Sequence, residues 1–161
     1  MKSLLERFSS KPRTTIPANT VLLETGKRSG KLYILIEGQI EISRGGVLVT
    51  SISEPGAVFG EMSILLDVPH TADVRAVSDS TVYEFLDAAA FMRSDPEITF
   101  LVAQLLAQRL NTVTTYLVDL KKQYANSGNH LGMVSDVLAS LVFQPQTDFT
   151  PGSDRMPDYE M

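Results

Sequence analysis

Between Pro12 and about Phe85, apolar and polar positions alternate in short runs separated by turn residues. VLLE (21 to 24), LYILI (32 to 36), QIEIS (39 to 43), VLVTSI (47 to 52), ADVRAV (72 to 77) and TVYEF (81 to 85) have the period and the β-branched or aromatic content of strands. Glycines at 26, 30, 38, 45, 46 and 56 punctuate them, and Gly45-Gly46 between two runs predicts a tight hairpin. Strands this short and this evenly spaced predict a mainly β domain over residues 12 to 94, with flanking helices. Its expected form is a small antiparallel β-barrel or jelly roll, closed to remove its edges. Ahead of it, an N-terminal helix within residues 1 to 11 would turn Leu4, Leu5 and Phe8 inward.

The pattern then becomes helical. Asp87 can cap a short helix through Phe91 and Met92, and Asp95-Pro96-Glu97 combines an N-cap acceptor, a first-turn proline and an acid at the positive helix end. A long helix over 95–126 follows. Its residues Leu106, Leu110, Val113, Leu117, Leu120 and Tyr124 recur at alternating steps of four and three, a heptad seam. Ile98, Leu101, Val102 and Leu105 are expected against the chain's own β domain. Beyond Leu110 that domain is too small to cover a helix of roughly 45 Å, so the seam predicts a homodimer through a parallel helix pair. Asn126-Ser127-Gly128-Asn129 should end the helix. A short amphipathic helix over 130–143 places Leu131, Val134, Leu138 and Leu141 on one face, and 144–161 reads as a mobile polar tail.

Composition narrows the function classes. The 161 residues suit one domain with appendages, and no apolar run approaches the roughly 18 residues that cross a bilayer. Glu6 and Arg7 stand where a secretory peptide would be apolar, so a cytoplasmic location is expected. The absence of cysteine excludes disulfides and thiol chemistry. A net charge of -5 has the wrong sign for unspecific nucleic-acid binding, and the basic clusters Lys27-Arg28-Lys31 and Lys121-Lys122 read as solvated surface.

Candidate chemistry gathers in FGEMSILLDVPHTADVRA, residues 59 to 76. Gly60 permits a sharp turn, and Glu61 to Leu66 can form a short helix whose first amides lack internal acceptors and carry the positive dipole end. Glu61 beside such amides suits a ligand with a hydroxyl next to its anionic group, as in a sugar phosphate. This stretch resembles the phosphate-binding cassette of the cyclic nucleotide-binding domain superfamily, whose pattern runs Phe-Gly-Glu, a small residue, two aliphatics, then Pro-Arg-Ser/Thr-Ala. The likeness extends upstream to Gly26, to LYILIEGQIEI with Gly38 and to Pro55-Gly56, and downstream to a long helix like that of catabolite-activator-type regulators.

The resemblance implies roles residue by residue. Glu61 would accept from the ribose 2'-hydroxyl, after the conserved-looking turn Phe59-Gly60. Gly60, Met62 and Ser63 would present amides to the cyclic phosphate, and Thr71 and Ala72 would add a donor and a small surface. Ile52, Val58 and Val74 would form apolar wall, and Thr114 and Thr115 on the long helix would reach the base. His70 departs from the family arginine, offering fewer donors and only fractional charge near neutrality. Three outcomes follow: weaker cyclic nucleotide binding, a different ligand such as a nucleoside, or an empty site. A fourth reading makes His70 an exposed loop residue. Asp73 would repel a phosphate if it faced one, but alternation with Ala72 and Val74 turns it and Arg75 to solvent.

The expected function is a non-catalytic sensor or regulatory module that binds cyclic AMP, cyclic GMP or a related small molecule, with no further cofactor, and acts through a dimer on a protein partner. The alternative is a degenerate site that binds no cyclic nucleotide. A DNA-binding role for this chain alone is disfavoured, because about 35 residues follow the long helix and they lack a basic recognition helix. A cupin-type metal enzyme needs clustered histidines, and only His70 and His130 are present.

Overall fold

A computed structural model describes residues 2 to 125 and 131 to 142. The elements run α1 (Lys2–Arg7), β1 (Thr14–Ile16), β2 (Val21–Leu23), β3 (Leu32–Glu37), β4 (Ile40–Arg44), β5 (Val47–Ile52), β6 (Val58–Phe59), α2 (Glu61–Leu66), β7 (Asp73–Ala76), β8 (Ser80–Phe85), α3 (Ala88–Ser94), α4 (Pro96–Gln123) and α5 (Leu131–Val142). Contacts divide the chain after Leu105 into two units.

In the first unit two antiparallel four-stranded sheets form, ordered β1-β8-β3-β6 and β2-β7-β4-β5. Their shared core takes Tyr33, Leu35, Phe59 and Val82 from the first sheet and Leu22, Leu23, Ile40, Val74 and Ala76 from the second. The β and jelly-roll expectation holds, but closure does not: among the described residues no ladder joins the two sheets. Three of the four edge strands are short, while the fourth, β5, has six mostly exposed residues. β1, β2 and β6 have three, three and two residues, too few to carry hydrogen bonding around a barrel. The same brevity hid β1 and β6 from the sequence pattern. Gly45 and Gly46, at φ 58° and 77°, make the predicted two-residue hairpin between Arg44 and Val47.

The first sheet is buried on both faces. Leu32 and Ile34, which alternate with the core residues Tyr33 and Leu35, are also buried, and helices supply the cover. Phe8 just after α1 lies 5.2 Å from Phe85 and 5.7 Å from Phe91, while Phe85 and Phe91 stack at 4.2 Å. Asp87 caps α3 by accepting from the Ala90 amide, and Asp95 caps α4 by accepting from the Ile98 amide, both as expected. Arg7 ties α1 to the start of α4, with Nη2 2.9 Å from each Asp95 oxygen and Nη1 on Glu97. Ile98, Val102 and Leu105 are buried in the first turns of α4, as predicted.

The second unit holds the remainder of α4 and α5. On this part of α4, Leu110, Val113 and Tyr124 of the seam are exposed, while Leu106, Leu117 and Leu120 are half-buried. The expected turn at 126–129, His130 and the tail 144–161 lie outside the described residues, as do the side chains of Leu131 and Leu141.

Candidate functional site

The cassette starts where β6 ends. Gly60 caps α2 with a left-handed backbone, φ 96°, and its α-carbon packs so tightly that a Cβ would sit 2.5 Å from the Lys31 carbonyl oxygen and 3.3 Å from Leu23 Cδ1. Both the dihedral and the space demand glycine. The turn delivers Glu61 to the first position of α2, where it is only 4% exposed. Met62 next to it is exposed and Ser63 is half-buried, with its hydroxyl directed to the Gly60 carbonyl at 3.4 Å. Asp67 ends α2 in the left-handed region, φ 52°, and the chain returns through His70, Thr71 and Ala72 into β7.

Five consecutive residues of the β2–β3 connection hold this return. The Thr25 amide donates to Asp73 Oδ1 at 2.7 Å, the Gly26 amide to the His70 carbonyl at 2.8 Å, and the His70 amide to the Lys27 carbonyl at 2.9 Å. Arg28 binds the Asp67 carboxylate and carbonyl, each at 2.9 Å, and Ser29 Oγ lies 2.8 Å from His70 Nε2. Lys31, in the same connection, supplies the carbonyl that Gly60 approaches. Both ends of the cassette are therefore braced by residues 25 to 31. Lys27 and Arg28 are exposed, as read from sequence, and also belong to this brace, which a partner some forty positions away leaves without a local signal.

His70 is not an exposed loop residue but is 5% exposed, and burial pushes its imidazole below the ordinary value. Asp73 is half-buried rather than free in solvent. The Thr25 amide holds its carboxyl below the usual range. Arg75 points outward to Glu41 at 2.9 Å, so it does not stand in for the family arginine. Lys27 pairs with Glu24, Arg28 with Asp67 and Lys31 with Glu84. Each cation flanking the cassette already has a carboxylate.

Of the expected apolar wall, Ile52 and Val74 pack in the core between the sheets. Val58 is buried but stands outside that cluster, alternating with Phe59, which is within it. Thr114 and Thr115 belong to the second unit, where their hydroxyls donate back to Leu110 O at 2.8 Å and Asn111 O at 2.9 Å.

A family model of the cyclic nucleotide-binding domain matches residues 13–93. Among curated proteins, the chain is 29% identical over 110 residues to a CRP-like cAMP-activated global transcriptional regulator of Mycobacterium tuberculosis, covering 65% of this chain and 49% of that protein. It is 37% identical over 70 residues to an uncharacterized ABC transporter ATP-binding protein of the same organism, covering 41% of this chain and 21% of that protein. The chain thus spans about a fifth to about a half of the length of these relatives. Among solved structures, the catabolite activator protein of Thermus thermophilus is similar with a TM-score of 0.56 at 22% identity, covering 88% of this chain and 83% of that one. A cAMP-bound PfPKA-R is similar with a TM-score of 0.53 at 17% identity, over 68% of this chain and 36% of that one. At these identities the likeness concerns fold.

Two stability measurements follow from this geometry. Gly60→Ala should cost about 2 kcal/mol or more in urea unfolding, from a strained dihedral and a backbone clash. Gly26→Ala, at φ 82° but with nothing within 4 Å of the new Cβ, should cost less; equal costs would refute the close approach. For His70, the unfolded chain takes up a proton near pH 6.5 that the folded chain resists. Its contribution to stability is present above that value and lost as pH falls toward the lower folded-state value. The thermal midpoint should therefore drop as pH falls below about 6.5, and His70→Gln should flatten that slope. Asp73 and Asp95, whose carboxyls are held below 3.8, act at lower pH. Parallel profiles for both proteins would remove His70 as the cause.

Proposed function

We propose a non-catalytic ligand-sensing role for this chain, which belongs to the cyclic nucleotide-binding domain family. Its cassette, residues 59 to 76, takes cyclic AMP, cyclic GMP or a related ribose-bearing ligand. The observation that carries this is Glu61, a buried carboxylate delivered by a turn that only glycine can make. A carboxylate held at that place can accept a hydrogen bond from a ribose 2'-hydroxyl. The adjoining amides of Gly60, Met62 and Ser63 face a phosphate in this reading, with Phe59 behind them. Thr71 and Ala72 contribute on the return.

The ligand acts by population shift, favouring the cassette arrangement with which it makes more contacts. The relay runs through a homodimer formed by the α4 seam, whose exposed Leu110 and Val113 need a cover. In that dimer Thr114 and Thr115 lie near the partner's ligand. The output is a protein contact, with no DNA or membrane binding by this chain alone and with a cytoplasmic location. Among the described residues no helix is long and apolar enough to cross a membrane.

A nucleoside is the alternative ligand, and His70 favours it. A neutral imidazole held by Ser29 supplies no permanent charge, and the neighbouring cations are all paired, so the hold on a phosphate is weak. Calorimetry with cyclic AMP, cyclic GMP and adenosine separates the two. Cyclic nucleotide affinity should rise as pH falls through the His70 titration, because a bound phosphate favours the imidazolium. His70→Arg should tighten cyclic AMP roughly tenfold and remove that pH dependence. Heat from adenosine alone selects the nucleoside, and no heat from any of the three defeats the sensing role.

The dimer is tested by sedimentation. The protein should run at twice its chain mass of 17.7 kDa, and Val113→Asp with Leu117→Asp should yield monomer. A monomeric parent protein would refute the seam.

A further inference from the structure

A concavity borders α2, α3 and the start of α4. It is a cleft of about 440 Å³ walled by Ile64 and Leu65 of α2, Met92 and Arg93 of α3, and Pro96 and Thr99 of the first turn of α4. Clefts of a few hundred Å³ with mostly apolar walls and one or two polar groups are the usual form of small-molecule sites. The polar inventory here is short. The Thr99 hydroxyl is already committed, donating to the Met92 carbonyl at 2.6 Å. Arg93 is the one charged lining residue. It is exposed and, like Arg13 and Arg44, forms no ion pair among the described residues, whereas Arg7, Arg28 and Arg75 each hold a carboxylate.

The acids closest to Arg93 in sequence, Asp95 and Glu97, form no ion pair with it. Asp95 through both oxygens and Glu97 through Oε2 pair with Arg7 instead. The cleft therefore combines an apolar floor with an unanswered guanidinium at its rim. Leu65, 47% exposed, lacks the cover that a leucine usually finds. We propose that this cleft binds a small amphipathic anion, of the class of medium-chain carboxylates, with the apolar body against Ile64, Leu65 and Met92 and the headgroup on Arg93. The site is separate from the cassette and makes no use of Glu61 or His70. Its occupant bridges α2 to α3 and α4.

Sodium octanoate is the probe, titrated into the full chain while the methyl resonances of Ile64, Leu65 and Met92 are followed by NMR. Saturable shifts confined to that group are expected at millimolar concentration, with octylammonium giving none. Arg93→Gln, at an exposed position that leaves the fold intact, should weaken octanoate roughly fivefold. Retention of the octanoate shifts in the presence of excess cyclic AMP and adenosine marks the site as distinct from the cassette. No saturable shift, equal binding of octanoate and octylammonium, or an unchanged affinity in Arg93→Gln would each overturn the proposal.

Discussion

The contact between Gly60 and the Lys31 carbonyl governs the geometry of everything after it. It brings the end of β6 against the β2–β3 connection more closely than any side chain would allow, and the left-handed turn then drives Glu61 inward rather than along the strand direction. From there α2 has only six residues before Asp67 reverses the chain, so the return through His70 must also lie along residues 25 to 29. One close approach and one short helix thus leave the cassette a single path. The backbone pair between Lys27, Gly26 and His70 is the far end of the same constraint. Because it is made of main-chain bonds, it does not depend on which side chain stands at 70.

That independence explains how histidine can replace arginine without loss of the fold. The position is fixed by its amide and carbonyl, while the ring is free to find its own partner, which is Ser29 Oγ. An arginine there would keep its charge and need either a ligand phosphate or a carboxylate to answer it. A buried imidazole is stable as the neutral form and needs neither. The charge balance of the surroundings agrees with it. Lys27, Arg28 and Lys31 close onto Glu24, Asp67 and Glu84, so these three cations on this flank are each answered by a carboxylate.

Much of this was legible in the sequence, and the exceptions have physical causes. Six strands, the Gly45-Gly46 hairpin, the capped helices at Asp87 and Asp95 and the short helix at Glu61 are local features, written in periodicity and turn chemistry. β1 and β6 were not visible because two or three residues carry no period. The open sheets were not visible because closure depends on the length of edge strands rather than on alternation. In the site, Gly60, Glu61 and the outward turn of Arg75 followed from spacing. The burial of His70 and the brace by residues 25 to 29 did not, since both depend on pairing across some forty positions of chain. A histidine in Pro-His-Thr has no local reason to be inside.

The cassette and the cleft beside α2 differ in their charges. On the cassette side an acid is buried and the flanking cations Lys27, Arg28 and Lys31 are paired with carboxylates. On the outer side the floor is apolar and a cation stands unpaired, so an occupant must bring its own negative charge. A helix of six residues has too few internal hydrogen bonds to be stable by itself. Its place therefore reports the balance of contacts on its two faces, and whatever occupies either face weighs on the other. The first turn of α4 is held from a third direction by Arg7 on Asp95 and Glu97, which fixes one wall of the outer cleft while α2 forms the other. The element with the fewest constraints of its own thus adjoins a helix start that Arg7 holds and carries the buried Glu61 at its own first position.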